Sequence, residues 1–435
     1  MYDYRYEPHN VIFMIDNKSF FASCEAIRLG KNPMEVCLAV VSHQPGANYD
    51  SGLIMAASPL AKKKYGLSNV MRVRDLPSRE EAPDLILTPP HMNLYIKRSI
   101  EVMGIFQKYA ADDDVHMYSI DEGMIDMTKS WKLFGSDPYY VARKIQKEIH
   151  DKLGLYTTCG IGENPLLAKL AMDIEAKHRS SMIAYWHYLD VPDTVWKIKE
   201  LEDAWGINKR TARRLRKLKI NTMYDLAHTS PKILRDEFGV IGEQLFAESW
   251  GVDRSIISQR YHPKSKSYGN AQVLPRNYYN QREIEIVIRE IGEQVAARIR
   301  FRGLQAGQVS LLIGYALDEG KRKGFSAQKK ITPTNISHDI VKILLNLFRN
   351  NWEKEAVRTI SVSLSRLGED KSMQLSMLEP VELQLKRHKL DSVIDDIRKK
   401  YGFTSLVKAS SLAKGATAIQ RSKLVGGHNG GNSYE

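Results

Sequence analysis

Asp16 stands directly behind the apolar run Val11–Ile15, at the end of a segment that reads as a strand buried on both faces. A carboxylate in that position is costly to bury unless something pairs with it, and a divalent cation is one such partner. Helping to start the following helix is the other reading of the same residue. A second strand end carries Ser119-Ile120-Asp121-Glu122. Neighbouring carboxylates on an extended strand point to opposite faces, but at a strand-to-turn transition they can converge. Taken with Asp16 they make three carboxylates, a set suited to two Mg²⁺ ions about 4 Å apart. A polar hairpin turn is the plainer alternative. Asp112, Asp113 and Asp114, just upstream, read as a solvated loop.

Basic residues supply the complementary chemistry. Lys62, Lys63 and Lys64 lie on a short helix that stops at Gly66, and Lys169 lies in NPLLAKLAMD. There Leu166, Leu167 and Leu170 form the apolar stripe and Lys169 could reach a triphosphate. No GxxxxGK[ST] pattern occurs, so a nucleotide would be held by metal and side chains. Gly160–Gly162 (GIG) reads as a strand end. A helix–turn–helix over Leu201–Ala227 has Trp205-Gly206-Ile207-Asn208 in its turn and opens on a helix with seven bases and no acid between Lys209 and Lys219. Such a turn presents backbone N–H groups to a phosphate. It is similar to a helix-hairpin-helix, with Asn208 where a small Gly is usual. Asn tolerates the left-handed region, which keeps the turn feasible. Solvated helix faces are the ordinary reading of a charge run, but i,i+4 acids would normally offset this one.

The elements that must position these groups follow from periodicity. Ser19 is placed to cap a helix running to about Leu29. Strands are predicted around Cys37–Ser42, Ile54–Ala57, Val115–Asp121, Gly123–Met127 and Thr157–Ile161. Helices are predicted over Pro59–Tyr65, Pro89–Tyr109, Pro138–Leu153 and Pro165–Ala176. The pattern is mixed to about residue 188, all-helical from Val191 to Tyr261, and interrupted by a linker at 262–269. A second small α+β domain follows, with strands such as Val309–Tyr315 and Thr359–Leu364 and helices Gln281–Phe301 and His338–Asn350. Residues 370–435 read as a partly ordered tail ending in a Gly-rich stretch.

Composition narrows the class. The chain has 435 residues, which allows roughly two to four domains. It is 43% hydrophobic, enough for several cores. No run approaches the roughly 18 apolar residues of a membrane helix, and no signal-peptide pattern follows MYDYRYEPHN. Cys24, Cys37 and Cys159 are too scattered for a disulfide framework or a CxxC site. These features predict a soluble, reduced, cytoplasmic protein. The net charge of +13 points to a polyanionic partner. The excess lies late in the chain: 262–369 holds eighteen bases against ten acids, and 386–435 ten against four. No HExxH, GxSxG, paired CxxC or strand-linked GxGxxG occurs, which sets aside zincins, α/β-hydrolases, zinc fingers and dinucleotide enzymes.

In order, IDNKSFFASCE, AASPLAKKKYGL, SIDE, CGIGENPLLAKLA and a WGI hairpin before a basic helix resemble the Y-family (UmuC/DinB-like) translesion DNA polymerases over about residues 11–370. The first two motifs look most like the UmuC-like branch of Gram-positive bacteria and their mobile elements. The resemblance implies an α+β multidomain right-hand polymerase. Its palm would be residues 1–30 and 91–190, its fingers 31–90, its thumb 191–261 and its little finger 270–369, with 370–435 as a C-terminal tail. It implies that Asp16, Asp121 and Glu122 are catalytic and hold two Mg²⁺, with Mn²⁺ as a substitute, and that Asn17 adds a backbone ligand. Phe21 would be the steric gate that rejects a ribose 2′-OH, consistent with its place off the Phe20–Cys24–Ile27 stripe; Phe20, beside it in the nucleotide site, would be core. Lys169 and Lys63 would contact the triphosphate. Lys63 stands where arginine is usual, Leu60 where tyrosine is frequent, and Lys18 where many relatives have an acid. Gly206, Asn208, Lys209, Arg210 and Arg213 would grip the DNA backbone.

The implied reaction is error-prone transfer of a nucleotide from dNTP to a primer 3′-OH on a primer–template. It would proceed without proofreading, in SOS-type damage tolerance, and the chain would be monomeric with accessory subunits allowed. Gln374-Leu375-Ser376-Met377-Leu378 resembles the peptide that enters the groove of the bacterial sliding clamp, with Gln374, Leu375, Met377 and Leu378 as contacts. A strand or tail packed on its own domain is the other reading. Two rival functions stay open at this level: a catalytically inactive polymerase-like protein that binds DNA or the replication machinery, and another palm-type enzyme such as a nucleotidyl cyclase.

Overall fold

The computed structural model describes residues 2–43, 52–259, 261, 263, 265–316, 323–371 and 379–429. The chain divides into two compact units. The first comprises Met1–Val41, Ile54–Met71 and Asp75–Tyr261; the second comprises Ser42–Leu53, Arg72–Arg74 and His262–Glu435.

In chain order the first part of the molecule contains β1 (Ile12–Asn17), α1 (Phe20–Arg28), β2 (Leu38–Ser42), β3 (Leu53–Ala57), α2 (Pro59–Tyr65), β4 (Ile86–Thr88), α3 (Met92–Phe106), β5 (Val115–Met117), β6 (Glu122–Asp126), α4 (Pro138–Leu153), β7 (Thr157–Gly162), α5 (Pro165–Leu170) and β8 (Ile183–Trp186). A helical run then holds α6 (Lys209–Lys217), α7 (Met223–His228), α8 (Pro231–Phe238) and α9 (Val240–Ser249). The main sheet has the order β5-β6-β1-β7-β8. The apolar run before Asp16 is its central strand, with Ile12, Phe13, Met14 and Ile15 all buried and both neighbours antiparallel. That register sets Asp16 opposite Glu122 on β6 and opposite Thr158 on β7. A smaller sheet has the order β3-β2-β4.

Three local expectations are corrected. Ser19 does sit at the start of α1, but it adopts a left-handed conformation (φ 47°) and its side chain makes no capping bond. The helix predicted over Pro165–Ala176 is α-helical only to Leu170; Ala171–Glu175 form a π turn and Ala176–His178 a 3₁₀ turn. Asn208 is not left-handed: Gly206 takes the positive φ of 91°, and Asn208 is an extended N-cap of α6.

The α5–π segment lies on β7, and two glycines permit it. A Cβ on Gly160 would stand 2.0 Å from the Ala168 carbonyl oxygen and 2.4 Å from the Met172 nitrogen; one on Gly162 would stand 2.3 Å from the Ala168 nitrogen. These are backbone atoms that cannot rotate away. Gly160→Ala is therefore expected to destabilise the protein by about 3 kcal/mol or more, read as a drop in the urea midpoint.

The second unit is built on the antiparallel sheet β11-β10-β12-β9, made of β9 (Tyr268–Tyr278), β10 (Leu304–Tyr315), β11 (Gly324–Thr334) and β12 (Val357–Glu369). Helices α10 (Gln281–Phe301) and α11 (Ser337–Asn351) join Val309, Leu311, Ile360 and Val362 in one core. β9 begins inside the expected linker, and β11 was not evident from its sequence. Both are edge strands, half exposed and carrying Pro275 and Pro333, so neither shows a strong apolar pattern. Beyond residue 378 the chain is more structured than a tail. Helix α12 (Val381–Tyr401) is followed by a segment fixed to the domain: Tyr278 donates to the Gly415 carbonyl at 3.0 Å, and the Thr417 and Ala418 N–H groups donate to Glu290, each at 2.9 Å. Gln374, Leu375, Met377 and Leu378 lie outside the described residues. Among the described residues no helix is long and apolar enough to cross a membrane.

Candidate active site

The end of the main sheet gathers the predicted chemistry. Asp16, Asn17, Phe20, Phe21 and Asp121 line one cavity of about 370 Å³, together with Lys18, Lys62, Thr158 and Lys177. A larger cavity of about 750 Å³ lies in the second unit, against β9 and β12, but its lining contains no carboxylate.

Asp16 leaves β1 as the strand ends. Its pKa is pushed up to about 6 by burial; the nearby Glu122 and Asp121 charges add to this, and Lys177 opposes it. Lys177 Nζ lies 3.0 Å from Asp16 Oδ2 and 2.8 Å from Asp173 Oδ1. Burial alone would lower the pKa of this ammonium, but the two carboxylates outweigh it and raise it. Lys169 is only 6% exposed and lies 2.8 Å from Glu122 Oε1 and 3.1 Å from Asp173 Oδ2. The result is one chain of alternating charge: Asp16, Lys177, Asp173, Lys169, Glu122. Buried charges persist only when paired in this way.

Asn17 and Asp121 are tied together. The Asn17 backbone N–H and side-chain amide both donate to the Asp121 carbonyl, at 2.9 and 3.0 Å. Ser119 Oγ donates to Asp121 Oδ1 at 2.6 Å, which holds the carboxylate at the turn. As they stand, no three His, Cys, Asp or Glu side chains are gathered closely enough among the described residues to hold an ion. The donor set nevertheless fits a hard divalent cation. It is all oxygen, two of its carboxylates already carry ammonium groups as stand-in cations, and Asn17 Oδ1 is buried with no hydrogen-bond partner among the described residues.

The aromatic pair divides. Phe20 is 3% exposed and packs into the core, whereas Phe21 is half-buried and stacks on Tyr95 with ring centroids 4.5 Å apart. On α2 the three lysines also separate. Lys62 lines the cavity and donates to Ser19 Oγ at 3.4 Å, Lys64 pairs with Asp84 at 2.8 Å, and Lys63 is exposed and outside the cavity lining. Of these three lysines, Lys62 is the one on the cavity wall. Lys177, Asp173 and Tyr95 were missed, and Lys62 was named in the lysine run without being singled out. The first two had a sequence signal in the i,i+4,i+8 spacing Lys169–Asp173–Lys177.

In the helical run, Gly206, Asn208, Lys209, Arg210 and Arg213 are all exposed. Asn208 Oδ1 accepts from the Arg210 and Thr211 N–H groups at 2.9 and 3.0 Å, so those two donors are already occupied. Acids from neighbouring elements offset part of the basic helix: Glu202 and Glu200 pair with Arg216, and Glu237 with Arg214. Lys209, Arg210 and Arg213 form no salt bridge among the described residues, although the Lys209 charge is felt by Glu202.

Residues 15–173 match the model of the impB/mucB/samB family and residues 265–377 match that of its C-terminal domain. UvrX of Bacillus subtilis (strain 168), named for UV-damage repair, is 38% identical over 429 residues, 98% of this chain and all of that protein. The chain belongs to the impB/mucB/samB family, in the UmuC-like branch of the Y-family polymerases. DNA polymerase IV 2 of the same organism is 32% identical over 421 residues, 96% of this chain and 98% of that one. DNA polymerase IV of Clostridium kluyveri is 31% identical over 418 residues, 93% of this chain and 99% of that one. Among solved structures, a Y-family DNA polymerase chimera of Dbh and Dpo4 segments superposes with a TM-score of 0.66 and 22% identity, covering 82% of this chain and 98% of that one. That likeness gives the fold: a right-hand polymerase with palm, fingers, thumb and little finger. Membership of this polymerase family also implies dependence on a divalent metal.

Proposed function

We propose that this Y-family member extends a primer 3′-OH with dNTPs past template damage, without proofreading. The observation that carries this reading is the convergence of Asp16, Asn17, Asp121 and Phe21 on one cavity, with Glu122 and Lys169 paired beside it. Asp16, Asp121 and Glu122, with Asn17, would hold two Mg²⁺ ions, or Mn²⁺ in their place. Such a pair, when bound, makes the primer 3′-oxygen more acidic and neutralises the departing pyrophosphate.

The remaining work falls to the chain's own residues. Lys169, and Lys62 rather than Lys63, offer ammonium groups to the triphosphate. Once Glu122 is engaged elsewhere, Lys169 keeps Asp173 as its partner, 3.1 Å away, and so stays placed. Phe21, half-buried on the cavity wall, would meet the sugar. The domain limits of palm, fingers, thumb and little finger are proposed as stated above, with 379–429 added as a folded extension of the little finger. The all-oxygen donor set and its two lysines are complete, which favours an active enzyme over an inactive polymerase-like binder. Primer extension by the purified chain over an abasic template, with Mg²⁺ and dNTPs, tests the proposal; failure to extend any primer would overturn it.

Exposed Lys209, Arg210 and Arg213 would grip DNA phosphates. The logarithm of affinity for duplex should fall with the logarithm of salt, by roughly 0.9 for each phosphate neutralised. Arg213→Ala is expected to reduce that slope by about one phosphate's share and to weaken binding equally on all sequences, as measured by fluorescence anisotropy between low and moderate salt.

A further inference from the structure

Glu25 lies on α1, one helical turn beyond Phe21, and it is fully buried. Such a carboxylate needs partners on both oxygens, and it has them. Oε1 lies 2.8 Å from His91 Nδ1 and accepts from the Tyr95 hydroxyl at 2.6 Å; Oε2 accepts from Arg28 Nε at 2.7 Å. The Tyr95 contact has the length of a charge-assisted O–H···O⁻ bond, the stronger class. Tyr95 is itself fully buried, and its ring lies nearly parallel to that of Phe21, with 17° between the planes. Phe20 closes the same aromatic group, 5.8 Å from Phe21 and 6.4 Å from Tyr95 between centroids.

Phe21 is thus backed by one ring, and that ring is anchored at its far end by one carboxylate. A half-buried phenylalanine without such backing could change rotamer toward the core or the cavity. We propose that Glu25, acting through the Tyr95 hydroxyl, is a positioning residue that holds the Phe21 ring against the sugar of the incoming nucleotide. His91 and Arg28 fix the carboxylate so that its oxygen meets Tyr95 in one place. Discrimination between ribose and deoxyribose then depends on a group that never touches substrate. The inference rests on the reading of Phe21 as the sugar-contacting ring.

The test measures kcat/KM for rNTP and for dNTP, in the full chain, for wild type, Tyr95→Phe, Glu25→Gln, Phe21→Ala and the double variant Phe21→Ala/Tyr95→Phe. The ratio of the two constants is independent of the fraction of folded enzyme, so a loss of stability alone does not move it. Tyr95→Phe keeps the ring and removes only the anchoring bond. It and Glu25→Gln are each expected to raise relative rNTP use about three- to tenfold, the effect of losing one hydrogen bond. In the double variant the Tyr95 change should add nothing beyond Phe21→Ala, because the ring it positions is gone. The proposal is overturned if Phe21→Ala raises the ratio while Tyr95→Phe and Glu25→Gln leave it at the wild-type value. It is also overturned if the Tyr95 effect persists in full without Phe21. An unchanged ratio in Phe21→Ala would instead remove the gate itself, a separate failure recorded by that variant alone.

Discussion

Replacing Asp121 and Glu122 together by alanine is expected to lower the single-turnover rate of primer extension by a factor on the order of 10³ or more, and to change primer–template affinity by less than about threefold. Asp121 sits at the turn between β5 and β6 and Glu122 opens β6, and neither supports the core. Losing Glu122 takes one partner from Lys169, but Asp173 remains 3.1 Å away, so the buried ammonium is not stranded and the fold should persist. Losing both removes two negative charges that help raise the Asp16 pKa, so Asp16 would titrate lower than it does now. A single remaining carboxylate cannot hold two divalent ions, which is why the loss should appear in the chemical step. Single-turnover extension with Mg²⁺, run beside anisotropy with labelled primer–template, separates the two effects. A double variant that extends at the normal rate would place the reaction elsewhere in the molecule.

The parts of this site that were legible in the sequence share a physical signature. An acid directly behind VIFMI, and two more at the end of a second strand, stand out because buried apolar neighbours make a charge conspicuous. Helices α2, α4 and α10 match their predicted ends because each has a clear limit: α2 and α4 open on a proline and close on a glycine, and α10 opens on an asparagine cap. What stayed hidden depends on three dimensions. Three consecutive lysines on α2 give no indication of which faces the cavity, and the structure separates them among cavity, solvent and Asp84. Tyr95 reads as one more apolar position on a long helix; only the fold brings it onto Phe21 and Glu25, seventy residues away from the latter. The π turn at Ala171–Glu175 has no local signal either, since its residues are ordinary helix formers. The edge strands β9 and β11 were obscured because β9 buries only Leu274 and Tyr278 and β11 has no fully buried residue.

Phe21→Ala is expected to raise the use of rNTP relative to dNTP by a factor on the order of 10², measured as the ratio of kcat/KM values on the same primer–template. Exclusion by a ring is repulsive: a 2′-hydroxyl gains nothing in this reading but meets a surface that will not yield. The surface is firm because Phe21 stacks at 4.5 Å on Tyr95, which is fully buried and cannot retreat. Truncation to a methyl group opens that space while leaving the carboxylates and both lysines in place, so dNTP use should fall less than about tenfold. Phe20 provides the contrast. It is 3% exposed on the core side of the same helix, and Phe20→Ala should cost about 3–5 kcal/mol of stability while moving the sugar ratio far less than Phe21→Ala does. The two neighbouring substitutions therefore separate packing from selection. If Phe20→Ala relaxed sugar choice and Phe21→Ala did not, the ring that meets the sugar would be the buried one, and α1 would have to be turned about its axis relative to the strand that carries Asp16.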